Sequence, residues 1–336
     1  MHYYLKNLGD LRPLELTEAF QNIPVDVTTL SLRGNKLHQI FVGDLVVLLK
    51  KLPKSVRTLD LSMNSLKLLL VKILPAIPRS VTSVNLGWNY LYTLSADELA
   101  AVFSSIPAHI KSLDLNMNLL NTAGVPSLVK ALKALPPNVN SLNLSENNLY
   151  SLFDEGFITV LTALPETVTS LNLSCNEMFL ASDADLAKVF AVLPESVVNL
   201  DLSGNNLKEL PIVHLVSLFK ALRGVTSLNL SGNGFSNIAE EDLTLILVSL
   251  PVTVKTVFLD DTIINLNEVR SKRISPPKAK IVTDQELQLG LYGGSFFKTK
   301  IVSEDELAKL ADDLDELLDE TGSLELSSVE LSSAEF

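Results

Sequence analysis

The sequence predicts an α/β solenoid of stacked strand–turn–helix units with a cap at each end. Three observations predict it. An L-x-L-x-x-N-x-L phrase recurs with asparagines at Asn35, Asn64, Asn89, Asn118, Asn147, Asn176, Asn205 and Asn233, separated by 29, 25, 29, 29, 29, 29 and 28 residues. Ahead of each asparagine, apolar and polar residues alternate with a period of two, the mark of a strand. Behind it, apolar residues fall at helical spacing and a proline usually follows. A fixed period of this length means stacked modules, since no single unit can bury its apolar face alone.

Each element follows from local chemistry. Residues 1–24 are assigned to an N-terminal cap with residues 17–20 helical, and Asn7, 28 residues before Asn35, marks an incomplete opening copy. Residues 25–266 form the solenoid. In a representative strand, Leu228 and Leu230 point inward while Ser227, Asn229 and Ser231 point outward. The inward amide of each asparagine offers two donors and an acceptor for the backbone of the turn. Ser95 and Glu98 form a capping box ahead of Leu99, Val102, Phe103 and Ile106 at helical spacing. Pro53, Pro78, Pro107, Pro136, Pro165, Pro194 and Pro251 close the helices, because proline cannot continue a helix and drives its predecessor toward extended backbone. The 25-residue interval predicts one helix about a turn shorter, crowded by Pro75 and Pro78. A frayed copy at 254–266, with Thr262 in place of the asparagine, begins the C-terminal closure.

The phrases VTSLNL (168–173) and VVNLDLSGNNL (197–207), with eight intact copies over residues 25–265, resemble leucine-rich repeats of the ribonuclease-inhibitor-like length. That resemblance implies a curved horseshoe with a concave parallel β-sheet and convex helices. It also implies binding of another macromolecule through the outward strand residues.

Composition narrows the function. The chain has 336 residues, 47% of them apolar, which suits a folded protein. No stretch approaches the roughly 18 uninterrupted apolar residues of a membrane span, and the start MHYYLKNLGDLRPLEL lacks the pattern of a Sec signal peptide. With one cysteine and four scattered histidines, neither a disulfide nor a metal site is expected. No phosphate loop or Ser/His/Asp grouping is present. We therefore expect no enzyme and no cofactor. Cys175 reads as an inert loop thiol beside Glu177, and the absence of a later cysteine speaks against the activity of bacterial leucine-rich-repeat ubiquitin ligases. Of the net charge of −12, residues 303–336 carry twelve Asp/Glu and one Lys, leaving −1 for residues 1–302. A nearly neutral body lacks the basic footprint of a nucleic-acid binder.

Most of the outward strand positions are Ser, Asn or Asp, which rarely anchor an interface. One patch differs. The residue before each asparagine is Gly34, Met63, Trp88, Met117, Glu146, Cys175, Gly204 or Gly232, so three consecutive units align Met63, Trp88 and Met117. These three are the candidate contact for a protein partner, with Tyr90, Asp60, Asp114 and Arg33 (the lone outward arginine) as further candidates. Alternatively, the three side chains fold over their own loops as local packing.

After residue 269 the basic, proline-containing RSKRISPPKAK reads as a linker, followed by two matched phrases, KIVTDQEL (280–287) and KIVSEDEL (300–307). Residues 267–320 are assigned to a C-terminal capping element, with a helix at 303–319 whose Leu307, Leu310, Leu314, Leu317 and Leu318 share a face. Residues 321–336 are assigned to a flexible Ser/Glu-rich tail. The acidic block, the small polar residues and terminal Phe336 resemble the C-terminal export signals of the Dot/Icm type IVB system, and the L-P-x-x-V-x-x-L-x-L-S-x-N phrasing resembles the leucine-rich-repeat effectors of Legionella. The resemblance implies a module that leaves the bacterial cytoplasm by type IV secretion and binds a host protein, and a capped solenoid is expected to be a monomer. A small-GTPase regulator is the alternative, disfavoured because Arg33 stands alone.

Overall fold

A computed structural model of the chain describes residues 1–152, 155–180, 183–260 and 262–266. The proposed capping element at 267–320, the helix at 303–319 and the tail lie outside the described residues. Among those described, eleven strands form one sheet in sequence order: β1 His2–Tyr4, β2 Thr29–Ser31, β3 Thr58–Asp60, β4 Ser83–Asn85, β5 Ser112–Asp114, β6 Ser141–Asn143, β7 Ser170–Asn172, β8 Asn199–Asp201, β9 Ser227–Asn229, β10 Thr256–Leu259 and β11 Thr262–Asn265. Successive strands pair in parallel up to β10, and β11 turns back antiparallel with Leu259 opposite Thr262. Helices α1 Pro13–Gln21, α2 Val42–Leu49, α3 Leu70–Ile73, α4 Ala96–Ser104, α5 Val125–Lys133, α6 Glu155–Thr162, α7 Asp183–Ala191, α8 Ile212–Lys220 and α9 Glu240–Ser249 connect them. The result is an α/β solenoid.

The core lies between sheet and helices. Its sheet side is a file of one inward residue per strand, among them Leu30, Leu59, Val84, Leu113, Leu142, Leu171, Leu200, Leu228 and Val257, all essentially buried. Phe103, Phe157 and Phe219 fill the opposite side from α4, α6 and α8. The capping box at α4 is formed, with Glu98 N–H donating to Ser95 Oγ and Ser95 N–H to Glu98 Oε2. Each L-P-x-x-V phrase makes a turn into the next strand, the proline carbonyl accepting from the valine or isoleucine N–H three residues on, as at Pro53–Val56 and Pro107–Ile110. One coil uses Arg223-Gly224 instead and is one residue shorter. A side chain at Gly224 would meet the Glu195 carbonyl oxygen at 2.7 Å, so the tighter turn requires glycine.

The asparagines stitch consecutive coils together. Asn118 Nδ2 donates to the carbonyls of Leu86 in the preceding coil and of Leu115 and Asn116 in its own, while its Oδ1 accepts from the N–H groups of Asn89 and Leu91. Asn64, Asn147 and Asn176 repeat this five-bond pattern. All eight asparagines are 0–1% exposed.

Two details differ from the sequence reading, at Asn7 and Thr262, and one, the length of α3, agrees with it. Asn7 is not a ladder position: Leu8 N–H bonds Asn35 Oδ1 as Leu37 N–H bonds Asn64 Oδ1, which places Lys6 where the asparagine would stand. Asn7 instead takes the left-handed turn (φ 59°) that Lys36 takes one coil later. Helix α3 is about a turn shorter, as the 25-residue interval predicts, with four residues against eight in α2 and nine in α4. Pro75 turns its end into a 3-10 segment, Leu74–Ala76, and a second, Lys67–Leu69, runs straight into its start. Thr262 is a strand residue opposite Leu259, so the asparagine series ends at the hairpin.

Asn118→Ala is expected to lower unfolding free energy by about 3 kcal/mol, because it orphans buried backbone groups on two coils. Urea denaturation checks this against an exposed control, Lys51→Ala, expected to lie within about 0.5 kcal/mol of the parent.

Candidate functional site

The strand ends determine which outward residues are free to bind. In seven coils the last strand residue is Asp or Asn, and its Oδ1 accepts the N–H two residues later: Asp60 from Ser62, Asn85 from Gly87, Asp114 from Asn116, Asn143 from Ser145, Asn172 from Ser174, Asp201 from Ser203 and Asn229 from Ser231, all at 2.7–3.1 Å. These are Asx turns, in which a short side-chain oxygen replaces a backbone acceptor and ends the strand. Asp60 is fully engaged, since Ser62 Oγ also donates to its Oδ1 and Ser31 Oγ to its Oδ2. Asp60 and Asp114, candidates for partner contact, are thus turn residues. Asp260 differs: it has φ 49°, and its Oδ1 takes the Gly232 N–H. Arg33 is exposed but lies two residues past β2, in the turn, and so is not a strand residue.

The position before each ladder asparagine adopts left-handed backbone throughout, with φ 51–58° at Met63, Trp88, Met117, Glu146 and Cys175 and 64–67° at Gly34, Gly204 and Gly232. Glycine takes this conformation freely, and other L-residues at a cost of about 1–2 kcal/mol. The backbone N–H groups of Met63, Trp88 and Met117 donate to the Gly87, Asn116 and Ser145 carbonyls, so the three occupy adjacent rungs in register. Trp88 is 40% and Met63 37% exposed, while Met117 is half-buried. Tyr90 lies two residues further, its ring edge-to-face with Tyr92 at 5.9 Å and 6.0 Å from Lys67 Nζ. Tyr150 packs partly buried on the core.

Two electrostatic shifts mark this surface. Burial pushes the Asp114 carboxyl up, and the charges of Asp60 and Glu146 add to it, against the hydrogen bonds from Asn116 N–H and Asn143. Desolvation also raises the Cys175 thiol, with Glu146 and Asp201 adding, so the thiolate is disfavoured at neutral pH. Among the described residues there is no group of three or more potential metal ligands, and no helix is long and apolar enough to cross a membrane.

Sequence reasoning missed a cleft of about 610 Å³ beside the shortened coil, lined by His38, Lys67, Lys72, Tyr90, Ser65, Leu66, Leu68 and Leu69. The signal for it was the 25-residue interval, because a single-turn α3 cannot fill the space that a two-turn helix would.

Strand, 3-10 turn and helix in each coil, stitched by a buried asparagine, define the protein as a leucine-rich-repeat solenoid. The chain belongs to the leucine-rich-repeat family: it is similar to the leucine-rich-repeat-containing protein LegL7 of Legionella pneumophila, with 37% identity, a TM-score of 0.72, and coverage of 77% of this chain and 81% of that one. Two further solved chains match at lower similarity. One comes from the TLR13–ssRNA13 complex (20% identity, TM-score 0.43, 70% of this chain and 29% of that one) and one from the yeast Rad7–Elc1 complex (15%, 0.33, 76% and 75%). No family model and no curated protein matches the sequence.

Two predictions follow from this geometry. The raised Asp114 pKa means that its favourable contribution is present at acid pH and is lost as pH rises through the folded-state value. Asp114→Asn keeps the Asx acceptor, as Asn85 and Asn143 do. Its melting temperature is therefore expected to exceed the parent's at pH 7, by a margin that shrinks as pH falls toward 3. Met63→Gly relieves the left-handed backbone and is expected to stay within about 1 kcal/mol of the parent in urea unfolding, whereas a loss above about 2 kcal/mol would assign Met63 to packing.

Proposed function

We propose that this protein is a non-catalytic interaction module, a bacterial effector delivered into a host cell, where it binds a host protein through the Met63–Trp88–Met117 patch. The single observation that carries the contact surface is backbone strain. Three adjacent rungs hold large apolar side chains in a left-handed position that glycine fills in three other coils, and two of the three side chains stay exposed. Aromatic and methionine side chains of this kind dominate interface energetics and adapt to partner shape. The neighbouring Ser, Asn and Asp are engaged in their own Asx turns, which leaves little else on that edge to anchor a partner. Delivery is supported by the likeness to a Legionella leucine-rich-repeat protein and by the acidic segment at 303–336.

The test is affinity capture from host-cell lysate with the parent protein beside Met63→Ala/Trp88→Ala/Met117→Ala. A partner retained by the parent is expected to be lost from the triple variant, with each anchor contributing about 1–3 kcal/mol. Equal recovery on both, with the variant folded by circular dichroism, would reject the patch. Delivery is tested separately by fusing residues 303–336 to a reporter, which is expected to enter host cells only when the type IV system is intact.

A further inference from the structure

The cleft at the shortened coil has no role in the function proposed above, and its chemistry is specific. Its lining is apolar at Leu66, Leu68, Leu69 and the ring of Tyr90, and it carries two lysines, Lys67 and Lys72, with His38 beside them. Among the described residues neither Lys67 nor Lys72 forms an ion pair, and Lys67 Nζ rests 6.0 Å over the Tyr90 ring. The cleft belongs to the basic part of the solenoid: residues 33–79 hold nine Lys/Arg and two Asp/Glu, whereas residues 80–266 hold eight and eighteen. The rest of the solenoid therefore repels a polyanion that this band attracts.

Residues 304–320 of the same chain complement both features. They carry nine Asp/Glu and one Lys, interleaved with Leu307, Leu310, Leu314, Leu317 and Leu318 at spacings of three and four. Thirty-seven residues lie between 266 and 304 and extend to about 125 Å. The eight strand spacings from β11 back to β3 amount to about 40 Å. Tethering also makes the encounter intramolecular, at high effective concentration.

We propose that the cleft is a docking groove for the chain's own acidic, leucine-bearing segment at 304–320, with Lys67 and Lys72 facing its carboxylates and Tyr90 and the lining leucines receiving its apolar side chains. The proposal is independent of whether that segment also serves as an export signal.

Zero-length carbodiimide cross-linking of the dilute full-length protein tests it, with equal amounts of isotopically light and heavy chains mixed beforehand. Links from Lys67 and Lys72 to carboxylates within 304–320 are expected, confined to light–light and heavy–heavy pairs. Their yield is expected to fall at least about tenfold between 0.1 M and 1 M salt, as the screening length shrinks from about 10 Å to about 3 Å. Leu314→Ser/Leu317→Ser is expected to reduce these links several-fold while leaving the circular dichroism of the protein unchanged. Links spread evenly over exposed lysines such as Lys50 and Lys54, or falling instead on Lys272, Lys278 and Lys280, would overturn the proposal. So would links found in mixed light–heavy pairs, which would mean docking between two copies.

Discussion

The buried asparagine amide is the interaction on which the rest of the solenoid depends. A parallel stack of short strands leaves a turn at the end of every strand, and the backbone groups of that turn are sealed from water by the next coil. One primary amide satisfies them, giving its hydrogens to carbonyls of two coils and receiving N–H groups from the coil before. A buried polar group is tolerated only when its bonds are made, so each amide binds neighbouring coils in a single register. The inward leucines can then line up across the sheet. Packing supplies the bulk of the stabilisation, and the amides dictate which residues face inward.

Much of this was legible because it rests on periodic chemistry. The asparagine interval, the alternation around Leu228 and Leu230, the capping box at Ser95 and the prolines before most strands all announce themselves in one dimension. The Asn7 register failed for a physical reason. Asparagine also tolerates left-handed backbone, so its identity alone did not distinguish the stitching position from the turn beside it. Helix α3 lost about the one turn that the interval implied, and Pro75 set its end by turning the following residues into a 3-10 segment.

The candidate surface was only half legible. Met63, Trp88 and Met117 could be placed in register from spacing, but the strain at their positions was visible only through its exceptions, the glycines at 34, 204 and 232. The aspartates were harder to interpret. Read as a face of outward acids, Asp60 and Asp114 suggested contact with a partner, yet the same residue type alternates with asparagine because an Asx turn needs a short side chain with an acceptor oxygen. The charge band between residues 33 and 79 was hidden by a body that sums to nearly zero.

The antiparallel return of β11 bears on how such molecules behave when crowded together. A stack of parallel coils has ends that match one another, and an open β10 edge would offer the first coil of a second molecule the same pairing that every internal coil enjoys. Repeated head to tail, that pairing does not close and grows a filament. Among the described residues the last strand is reversed and presents the wrong polarity to an incoming β1, so the geometry that lets coils add from β1 to β10 does not continue past it.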